Sequence, residues 1–524
     1  MNATGKSLIG GRWIEPEGAT FHSFNPKTGE TFNAFGDCGP AEVDAALAAA
    51  LDAYREMRAL GGDDIAAFLE AVADEIEALG DELLETCDAE TALGTVRLTG
   101  ERGRTTGQLR AFAAIARRGE WVQASIDTAE PGRQPLPKPD LRRMMTGIGP
   151  VAVFGASNFP FAFSVAGGDT ASALAAGNPV VVKGHPSHPA TSELVARAFE
   201  RATQRTGFPP GAFSLLQSAG HAAGVALVQH PAVKAVGFTG SLRGGRALMD
   251  IAAARPEPIP VFAEMGSVNP VFLGPKTLAA SGDAIAAGLS GSVCMGTGQF
   301  CTSPGLAVLV ESDRFEAQMK TAMDAAPRGY LLNPGIRDAL KAGLERLRAS
   351  PGVTWLNEAD FAADSMTPPN AVLRVAADVF LGEPALAEEV FGPVTLLVAC
   401  RDEAQMLTVA EHLGGNLTGA IHADHDPELA AALMTLLEDR VGRIICNGYP
   451  TGVEVCPSQQ HGGPYPATSN AWATSVGADA IHRFARFVAY QDAPQGLLPG
   501  ALKDENPLGI VRRVNDVLTA DPLV

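Results

Sequence analysis

The sequence predicts an α/β fold with more than one domain, each built on a largely parallel sheet. First, 524 residues are too many for a single hydrophobic core. Second, short apolar runs at 151–154, 180–182, 235–238 and 259–262 alternate with helical stretches at 165–176, 192–206 and 224–229. Third, a second alternation of the same kind runs from about 269 to 443. Strands that alternate with helices are typical of βαβ units.

The segment before residue 125 is predicted to be mainly helical. After Pro40, apolar residues follow one helical stripe through Leu47 to Met57. Gly61-Gly62 ends that helix, and Asp63 or Asp64 is expected to cap the next one. A cluster of Pro and Gly at 131–139 predicts a loop or domain boundary, and the tail after residue 492 is expected to be extended.

Composition excludes several classes of protein. A net charge of −19 argues against a nucleic-acid surface, which needs concentrated Lys and Arg. The sequence contains no run of about 18 apolar residues, so no membrane span is predicted. Residues 1–10 lack the layout of a signal peptide. Seven cysteines without close pairs, and histidines without metal-ligand spacing, predict neither a disulfide framework nor a metal site, so we expect a cytoplasmic protein. Cys400 and Cys446 lie in apolar runs and are expected to be buried structural residues.

Cys301 and Glu264 are candidates for nucleophilic chemistry. Gly-rich flanks keep the backbone around Cys301 accessible, as a nucleophile requires, although a lone cysteine is by default a buried structural residue. Glu264 ends an apolar stretch, where partial burial is expected to raise its pKa and suit it to general-base catalysis. A surface acid or a helix cap is the alternative for Glu264.

Two strand-to-helix turns add polar groups. Asn158 follows the run at 151–154 and could donate its amide to a developing oxyanion or simply cap a helix. The turn at 238–245 contains Gly240, Ser241 and Gly245, which would let a phosphate approach a helix N-terminus. It is not the Gly-x-Gly-x-x-Gly fingerprint and is a weak dinucleotide signal by itself.

Taken together and in order, these motifs resemble the aldehyde dehydrogenase superfamily over nearly the whole chain. The resemblance implies that Cys301 is the nucleophile, Asn158 the oxyanion donor and Glu264 the general base. It implies that the cofactor is held by further residues, namely Lys183, His185, Ser187, Gly240, Ser241, Gly245, Glu389 and Phe391. The implied reaction is thiolate attack on an aldehyde, hydride transfer to a nicotinamide, and hydrolysis of the resulting thioester, with no metal.

The implied architecture has three parts. A Rossmann-type cofactor domain is expected at 1–130 and 148–262, and an α/β catalytic domain at 263–445. A small β oligomerisation arm with the C-terminal tail is expected at 131–147 and 446–524, with strands at 141–147 and 483–490. Such an arm would build a homodimer or a dimer of dimers.

Two departures from the common family pattern bear on specificity. Pro186 stands three positions after Lys183, where many members have a Glu that binds the ribose hydroxyls. Without that carboxylate, Lys183, His185 and Ser187 could contact a 2′-phosphate, so NADP is expected to be preferred, with NAD as the alternative. The second departure is the motif Gln460-His461-Gly462-Gly463. It resembles the motif of a subgroup that contains 2-oxoglutarate semialdehyde dehydrogenases and an NADP-linked fatty aldehyde dehydrogenase.

The expected substrate tunnel does not by itself decide between these aldehydes. By resemblance it is lined by Phe159, Phe163, Phe300 and Thr302. Arg104 and Gln108 share one helical face and could hold a distal carboxylate, although Arg104 could instead form a solvated pair with Glu101. We favour 2-oxoglutarate semialdehyde over a fatty or other medium-chain aldehyde. A thiol-dependent esterase or a non-catalytic structural member of the fold would leave the cofactor residues without a role.

Overall fold

Four short strands precede a helical region in the computed structural model, which describes residues 3–357 and 360–523. The helices agree with the predicted helical segment, whereas its strands were not predicted. Asp64, and not Asp63, supports the start of the second helix, because its carboxylate accepts the Gly61 N–H at 2.9 Å. The elements are β1 (Ser7–Ile9), β2 (Arg12–Ile14), β3 (Thr20–Phe24), β4 (Thr31–Gly36), α1 (Pro40–Met57), α2 (Gly62–Ala78), α3 (Gly80–Thr91) and α4 (Thr95–Arg118).

The first sheet has the strand order β11-β10-β7-β8-β9-β1-β2, and strands β7 to β11 are parallel. The predicted run at 259–262 begins two residues later, so Glu264 is the last residue of its strand. The next elements in the chain are β5 (Ser125–Asp127), β6 (Leu141–Gly147), β7 (Val151–Phe154), α5 (Gly168–Ala175), β8 (Val180–Lys183), α6 (Pro189–Thr206), β9 (Phe213–Leu216), α7 (Ala222–Gln229), β10 (Ala235–Thr239), α8 (Leu242–Ala253) and β11 (Val261–Glu264).

A second sheet has the order β14-β15-β16-β13-β12-β17-β18, and its neighbouring strands are parallel except for β14 and β15. Its elements are β12 (Val271–Leu273), α9 (Pro275–Cys294), β13 (Leu306–Val310), α10 (Asp313–Ala325), α11 (Pro334–Ala349), β14 (Thr354–Trp355), β15 (Ala371–Ala376), α12 (Ala377–Gly382), β16 (Val394–Cys400), α13 (Glu403–His412), β17 (Asn416–His422), α14 (Pro427–Glu438) and β18 (Val441–Cys446).

Two features of this sheet bear on the sequence predictions. Cys400 is buried, but the prediction for Cys446 is wrong, because it ends the edge strand β18 and is exposed. The helical stretch Pro275–Gly298 is apolar and long enough to cross a membrane by composition alone. Its Leu289 and Val293 pack in a core cluster with β12 and β13, as in the core helix of an α/β domain.

A third sheet has the order β19-β6-β5-β20-β21, with β19 (Ala485–Gln491), β20 (Arg512–Val514) and β21 (Val517–Thr519). The tail is therefore not merely extended, since it adds two strands to this sheet. Arg142 on β6 ties the tail down by donating to Asp140, Asp504 and the Leu502 carbonyl. Short 3₁₀ helices occur at Glu120–Val122, Pro210–Ala212, Met295–Gly298, Pro384–Ala387, Ala478–Phe484, Gln495–Leu497 and Gly500–Leu502.

Candidate active site

Three reactive side chains meet between the first two sheets. Glu264 ends β11, Cys301 follows the loop between α9 and β13, and His461 lies in the segment after β18. His461 Nε2 is 3.1 Å from Glu264 Oε1 and 3.6 Å from Cys301 Sγ. Ser475 Oγ donates to the other Glu264 oxygen at 2.7 Å. Glu264 and His461 are buried, whereas Cys301 is partly exposed.

Sequence reasoning did not assign a role to His461 or Ser475. The only signal for His461 was its place in the unusual Gln460-His461-Gly462-Gly463 motif. Ser475 stands among small polar residues that carry no recognisable pattern. Both side chains reach the site through a long loop, so only the folded chain shows that they contact Glu264.

The loop that presents Cys301 has an unusual backbone. Gly296, Thr297 and Gly298 have φ values of +55°, +61° and +66°, a conformation that favours glycine. A Cβ at Gly298 would collide with the backbone of Gly392. The Gln299 side chain pins the loop, since its Nε2 donates to the carbonyls of Gly296 and Tyr330 and its Oε1 accepts the Leu332 N–H. The nucleophile candidate thus stands on a rigid turn.

Asn158 lies beside the same loop. Its Nδ2 donates to the Gln299 carbonyl at 3.0 Å, and its side chain is buried. The helix-cap alternative is not observed, because the next helix, α5, has Gly167 as its N-cap. Arg97 Nη2 donates to the Asn158 carbonyl at 2.6 Å and holds this segment in place. The Asn158 amide nitrogen carries two N–H groups, so one can serve the site while the other binds Gln299.

The electrostatics of Glu264 differ from the expectation. Burial raises its pKa, but the charge of His461 and hydrogen bonds from His461, Ser475 and Cys301 outweigh that effect and lower the pKa to about 2. The expected upward shift is thus wrong, because it considered burial without the partners. Burial and the nearby Glu264 charge raise the pKa of Cys301 well above its ordinary value. The resting site therefore holds a charged carboxylate and a protonated thiol.

A cavity of about 1260 Å³ opens from Cys301 and Glu264 toward the carboxyl ends of the first sheet. Its lining includes the predicted oxyanion donor Asn158 and most of the predicted cofactor residues, namely Lys183, His185, Ser187, Gly240, Ser241, Glu389 and Phe391. Gly245 differs, because it lies on the buried face of α8, where a Cβ would collide with Met265, and its role is close packing of the helix on the sheet. Ser241 caps α8 by accepting the Gly244 N–H, so the helix N-terminus faces the cavity.

The cavity has the groups that a dinucleotide needs. Lys183 Nζ donates to the Ser218 carbonyl at 2.7 Å, and burial lowers the pKa of this amine to about 8. Burial raises the pKa of Glu389 to about 8. His185 Nδ1 accepts the Ser187 N–H, which leaves Nε2 as the N–H of the neutral ring. An anion-binding helix end, a lysine and a buried acid in one elongated cavity fit a nicotinamide dinucleotide.

An aromatic cluster lies on the other side of Cys301. The ring centroids of Phe159 and Phe163 are 5.4 Å apart, and those of Phe159 and Phe300 are 5.1 Å apart. Val453, Val455 and Val476 pack against these rings. Thr302 is buried, and its Oγ1 has no hydrogen-bond partner among residues 3–357 and 360–523.

Arg104 lies against the aromatic cluster. Its guanidinium carbon is 5.1 Å from the ring centroid of Phe163 and 5.8 Å from that of Phe159. Its Nε and Nη2 are buried without a hydrogen-bond partner in the described part of the chain. The alternative, a solvated pair with Glu101, is not observed, because Glu101 is buried, its Oε1 accepts the N–H groups of Phe161 and Ala162, and its Oε2 has no hydrogen-bond partner in the described residues. A desolvated guanidinium with free N–H groups is a site for an anion.

Gln108 lies one helical turn further along α4. It is buried, and its Nε2 has no partner in the part of the chain that the structure describes. A Cβ at Gly168 would collide with this amide, so glycine makes room for it. The structure therefore brings Arg104 and Gln108 to one buried face, but it places only Arg104 against the aromatic rings.

Comparison with known proteins agrees with this geometry. The model of the "Aldehyde dehydrogenase family" matches residues 13–339. Alpha-ketoglutaric semialdehyde dehydrogenase 2 from Azospirillum brasilense is 52% identical over 98% of this chain and 99% of its own length. Alpha-ketoglutaric semialdehyde dehydrogenase from Acinetobacter baylyi is 46% identical over 98% of this chain and 99% of its own length.

Solved structures share the fold at lower identity. A 1-pyrroline-5-carboxylate dehydrogenase from Thermus with bound NAD superimposes with a TM-score of 0.78 at 22% identity, covering 93% of this chain and 92% of that one. Aldehyde dehydrogenase C from Pseudomonas syringae, in complex with NAD+ and octanal, superimposes with a TM-score of 0.80 at 20% identity, covering 93% of this chain and 97% of that one. The Rossmann-type and catalytic α/β arrangement is therefore confirmed, and the chain belongs to the aldehyde dehydrogenase family.

Proposed function

We propose that this protein oxidises 2-oxoglutarate semialdehyde to 2-oxoglutarate through a thioester on Cys301, with NADP preferred over NAD. The observation that carries the substrate assignment is the unpaired, desolvated Arg104 guanidinium beside the aromatic cluster. The names of the two relatives at 52% and 46% identity support the same substrate.

The first chemical step is attack by sulfur. The thiol proton passes to Glu264, which accepts a hydrogen bond from the Cys301 thiol, and the S–C bond forms at the aldehyde carbon. The aldehyde oxygen becomes an oxyanion and accepts the second N–H of the Asn158 amide, whose first N–H binds the Gln299 carbonyl. A bound nicotinamide cofactor supplies the acceptor for the hydride that leaves this carbon.

The second step is hydrolysis of the thioester. Glu264 takes a proton from water, the hydroxide adds to the carbonyl carbon, and the C–S bond breaks to release the acid and the Cys301 thiolate. His461 donates to this carboxylate and lowers its pKa to about 2. Glu264 therefore passes each proton on readily, and the proton leaves to solvent through the open cavity.

The cofactor preference rests on the ribose end of the cavity. Pro186 supplies no carboxylate there, so a 2′-phosphate meets no charge repulsion at that position. Lys183, the Nε2–H of His185 and the Ser187 hydroxyl are the available donors. Three donors around a phosphate favour NADP, whereas NAD would use the lysine alone.

The substrate assignment is tested by comparing aldehydes on the Arg104→Met variant. We expect kcat/KM for 2-oxoglutarate semialdehyde to fall by about 30-fold or more, since a charge-assisted hydrogen bond to the substrate carboxylate is lost. With hexanal, which has no carboxylate, kcat/KM should stay within about threefold. Arg110→Met, which removes an exposed arginine of the same helix that pairs with Asp74, is the matched control and should change neither value.

A fatty aldehyde is the second candidate, and the apolar cluster of Phe159, Phe163 and Phe300 favours it. A wild-type preference for decanal over the semialdehyde, measured as initial rates of NADPH and NADH formation, would contradict the Arg104 assignment. Absence of dehydrogenase activity with every aldehyde would favour a thiol-dependent esterase or a structural role.

We further propose that the three sheets mark the three parts of the molecule. The first sheet belongs to the cofactor domain and the second to the catalytic domain. The third is the oligomerisation arm, which also takes in Ser125–Asp127, a strand ahead of the expected boundary at 131. Exposed apolar residues on its edge strand β19 support a homodimer or a dimer of dimers. Seven free cysteines favour a cytoplasmic location.

A further inference from the structure

The reactive cluster of Cys301, His461 and Glu264 also has the composition of a metal site. One thiol, one imidazole and one carboxylate each present a ligand atom, and the three atoms lie within 4.8 Å of one another. Thiolate, imidazole and carboxylate are the three ligand types that Zn²⁺ takes in proteins.

The distances match a tetrahedral zinc centre. Zn–S bonds of about 2.3 Å and Zn–N or Zn–O bonds of about 2.0–2.1 Å put sulfur and nitrogen about 3.5 Å apart, and nitrogen and oxygen about 3.3 Å apart. The observed separations are 3.6 Å from Cys301 Sγ to His461 Nε2 and 3.1 Å from that nitrogen to Glu264 Oε1. These two separations therefore need to change by only a few tenths of an ångström to bind the ion, and the third, from Cys301 Sγ to the Glu264 oxygen, is within 4.8 Å.

The ligands are held in place and can be reached. Ser475 fixes the far oxygen of Glu264, and the backbone N–H of His461 donates to Thr474 Oγ1. Cys301 and Glu264 line the open cavity, so a hydrated ion can enter along the cofactor path. Such a centre would keep one coordination position for water, as three-ligand zinc sites do.

We propose that Cys301, His461 and Glu264 form a reversible Zn²⁺ site that switches the enzyme off. As the ion binds, the S–H bond of Cys301 breaks and the Zn–S bond forms, and His461 gives up the Nε2 proton that it donates to Glu264 as the Zn–N bond forms, so that both protons leave to solvent. The bound sulfur is then a weaker nucleophile, because it shares electron density with the ion and the ion stands on the approach to it, and the coordinated Glu264 cannot take a proton from water. The metal binding stands on geometry alone, whereas the inhibition rests on the proposed function.

The affinity is expected to be moderate. Tight zinc sites anchor the second nitrogen of each histidine ligand with a hydrogen bond. His461 Nδ1 has no hydrogen-bond partner within residues 3–357 and 360–523. Zinc should therefore leave when a chelator is added, which suits a switch better than a structural centre.

The binding is tested with Co²⁺, which takes zinc sites and gives an absorption band when a thiolate binds it. The purified full chain, titrated with CoCl₂ without substrate or cofactor, should show one equivalent bound with a sulfur-to-cobalt charge-transfer band. Cys301→Ser should abolish the band, and His461→Gln should raise the Co²⁺ concentration needed for half-saturation by about tenfold or more. ZnCl₂ should displace the cobalt.

The exposed Cys446 and Cys456 provide the matched controls. Cys446→Ser and Cys456→Ser should keep both the band and the wild-type activity. A band that persists in Cys301→Ser, or disappears in either control, would overturn the site, as would the absence of any band in the wild-type chain.

Inhibition is measured separately. ZnCl₂ should reduce aldehyde oxidation by the wild-type enzyme at least tenfold, excess EDTA should restore it, and MgCl₂ at the same concentration should not inhibit. A cobalt band without zinc inhibition would overturn the switch. Because the band needs no substrate, failure of the substrate assignment leaves the metal test intact.

Discussion

At the scale of single residues, His461 determines the charge state of the site. It offsets the burial of Glu264 and keeps that carboxylate ionised. A neutral amide at this position would leave burial as the dominant effect, so the pKa of Glu264 should rise. The imidazole is therefore as much a part of the proposed base as the carboxylate.

We predict that His461→Gln lowers kcat at least tenfold and moves the acid limb of the pH–rate profile to higher pH. The sign follows from the direction of the pKa change, because Glu264 must lose its proton before it can act as a base. A pH series of kcat/KM checks this, with the exposed His412→Gln as control. An acid limb that stays in place would show that His461 does not control Glu264.

Cofactor binding should weaken above about pH 8. Lys183 loses its positive charge through a pKa of about 8, and Glu389 gains a negative charge through a pKa of about 8. Both changes disfavour a polyanionic ligand, and both occur as the pH rises. The KM for NADP should therefore increase from pH 7 to pH 9 in initial-rate measurements. A constant KM over that range would contradict the assignment of these residues to the cofactor.

At the scale of elements, the turn at Gly296–Gly298 positions the nucleophile. Gly298 has φ +66° and no room for a Cβ against the Gly392 backbone, and Gly392 follows the segment that carries Glu389 and Phe391. One turn therefore holds both the thiol loop and the segment expected to bind the nicotinamide.

We predict that Gly298→Ala lowers the melting temperature by several degrees and kcat by at least tenfold. Left-handed backbone alone costs an alanine about 1 kcal/mol, and the collision adds to this. Gly291→Ala, at an exposed position of α9 with open space around it, is the control and should leave activity unchanged while stabilising the helix slightly. Calorimetry gives the melting temperature of both variants, and initial rates give their kcat. If the two variants had the same melting temperature and the same kcat, this role of the turn would be contradicted.

The sequence predicted best those elements whose signal is local. The central strands of the first sheet are continuous apolar runs because both of their faces are buried, and three of the four predicted runs lie within observed strands. The three-residue strands β1, β5 and β20 carry no such pattern, since they pair with distant segments, and β2 and β21 are the short hairpin partners of β1 and β20.

The same distinction holds within the site. Cys301, Glu264 and Asn158 could be placed from ordered motifs. The contact of His461 with Glu264, 197 positions apart in the chain, could not, and this is why the pKa of Glu264 was expected in the wrong direction. The prediction that Cys446 is buried was wrong for a related reason, because an apolar run does not show that its strand lies at the edge of a sheet.

At the scale of the whole molecule, two sheets leave an apolar edge strand uncovered. Phe487 and Ala489 on β19 are exposed, and β18 is the open edge of the catalytic sheet with Ile444 and Ile445 only half-buried. A second copy of the chain that paired its strands with these edges would cover both of them.

We predict that the double variant Phe487→Glu and Ala489→Glu changes the mass in light scattering from that of an oligomer to that of a single chain. Charges on this edge would have to be buried in the interface. The matched control is Val517→Glu with Leu518→Glu on β21, the opposite edge of the same sheet, and it should keep the oligomer. A wild-type chain that is itself monomeric would contradict the proposed arm.

The composition of the third sheet has a consequence for synthesis of the chain. Its strands come from residues 125–147, 485–491 and 512–519, so the sheet cannot close until residue 519 has left the ribosome. The first sheet needs nothing beyond residue 264 and can form much earlier. The sheet that carries the proposed oligomerisation edge is therefore completed last, so a nascent chain has no completed third sheet through which to pair with another nascent chain on the same messenger RNA.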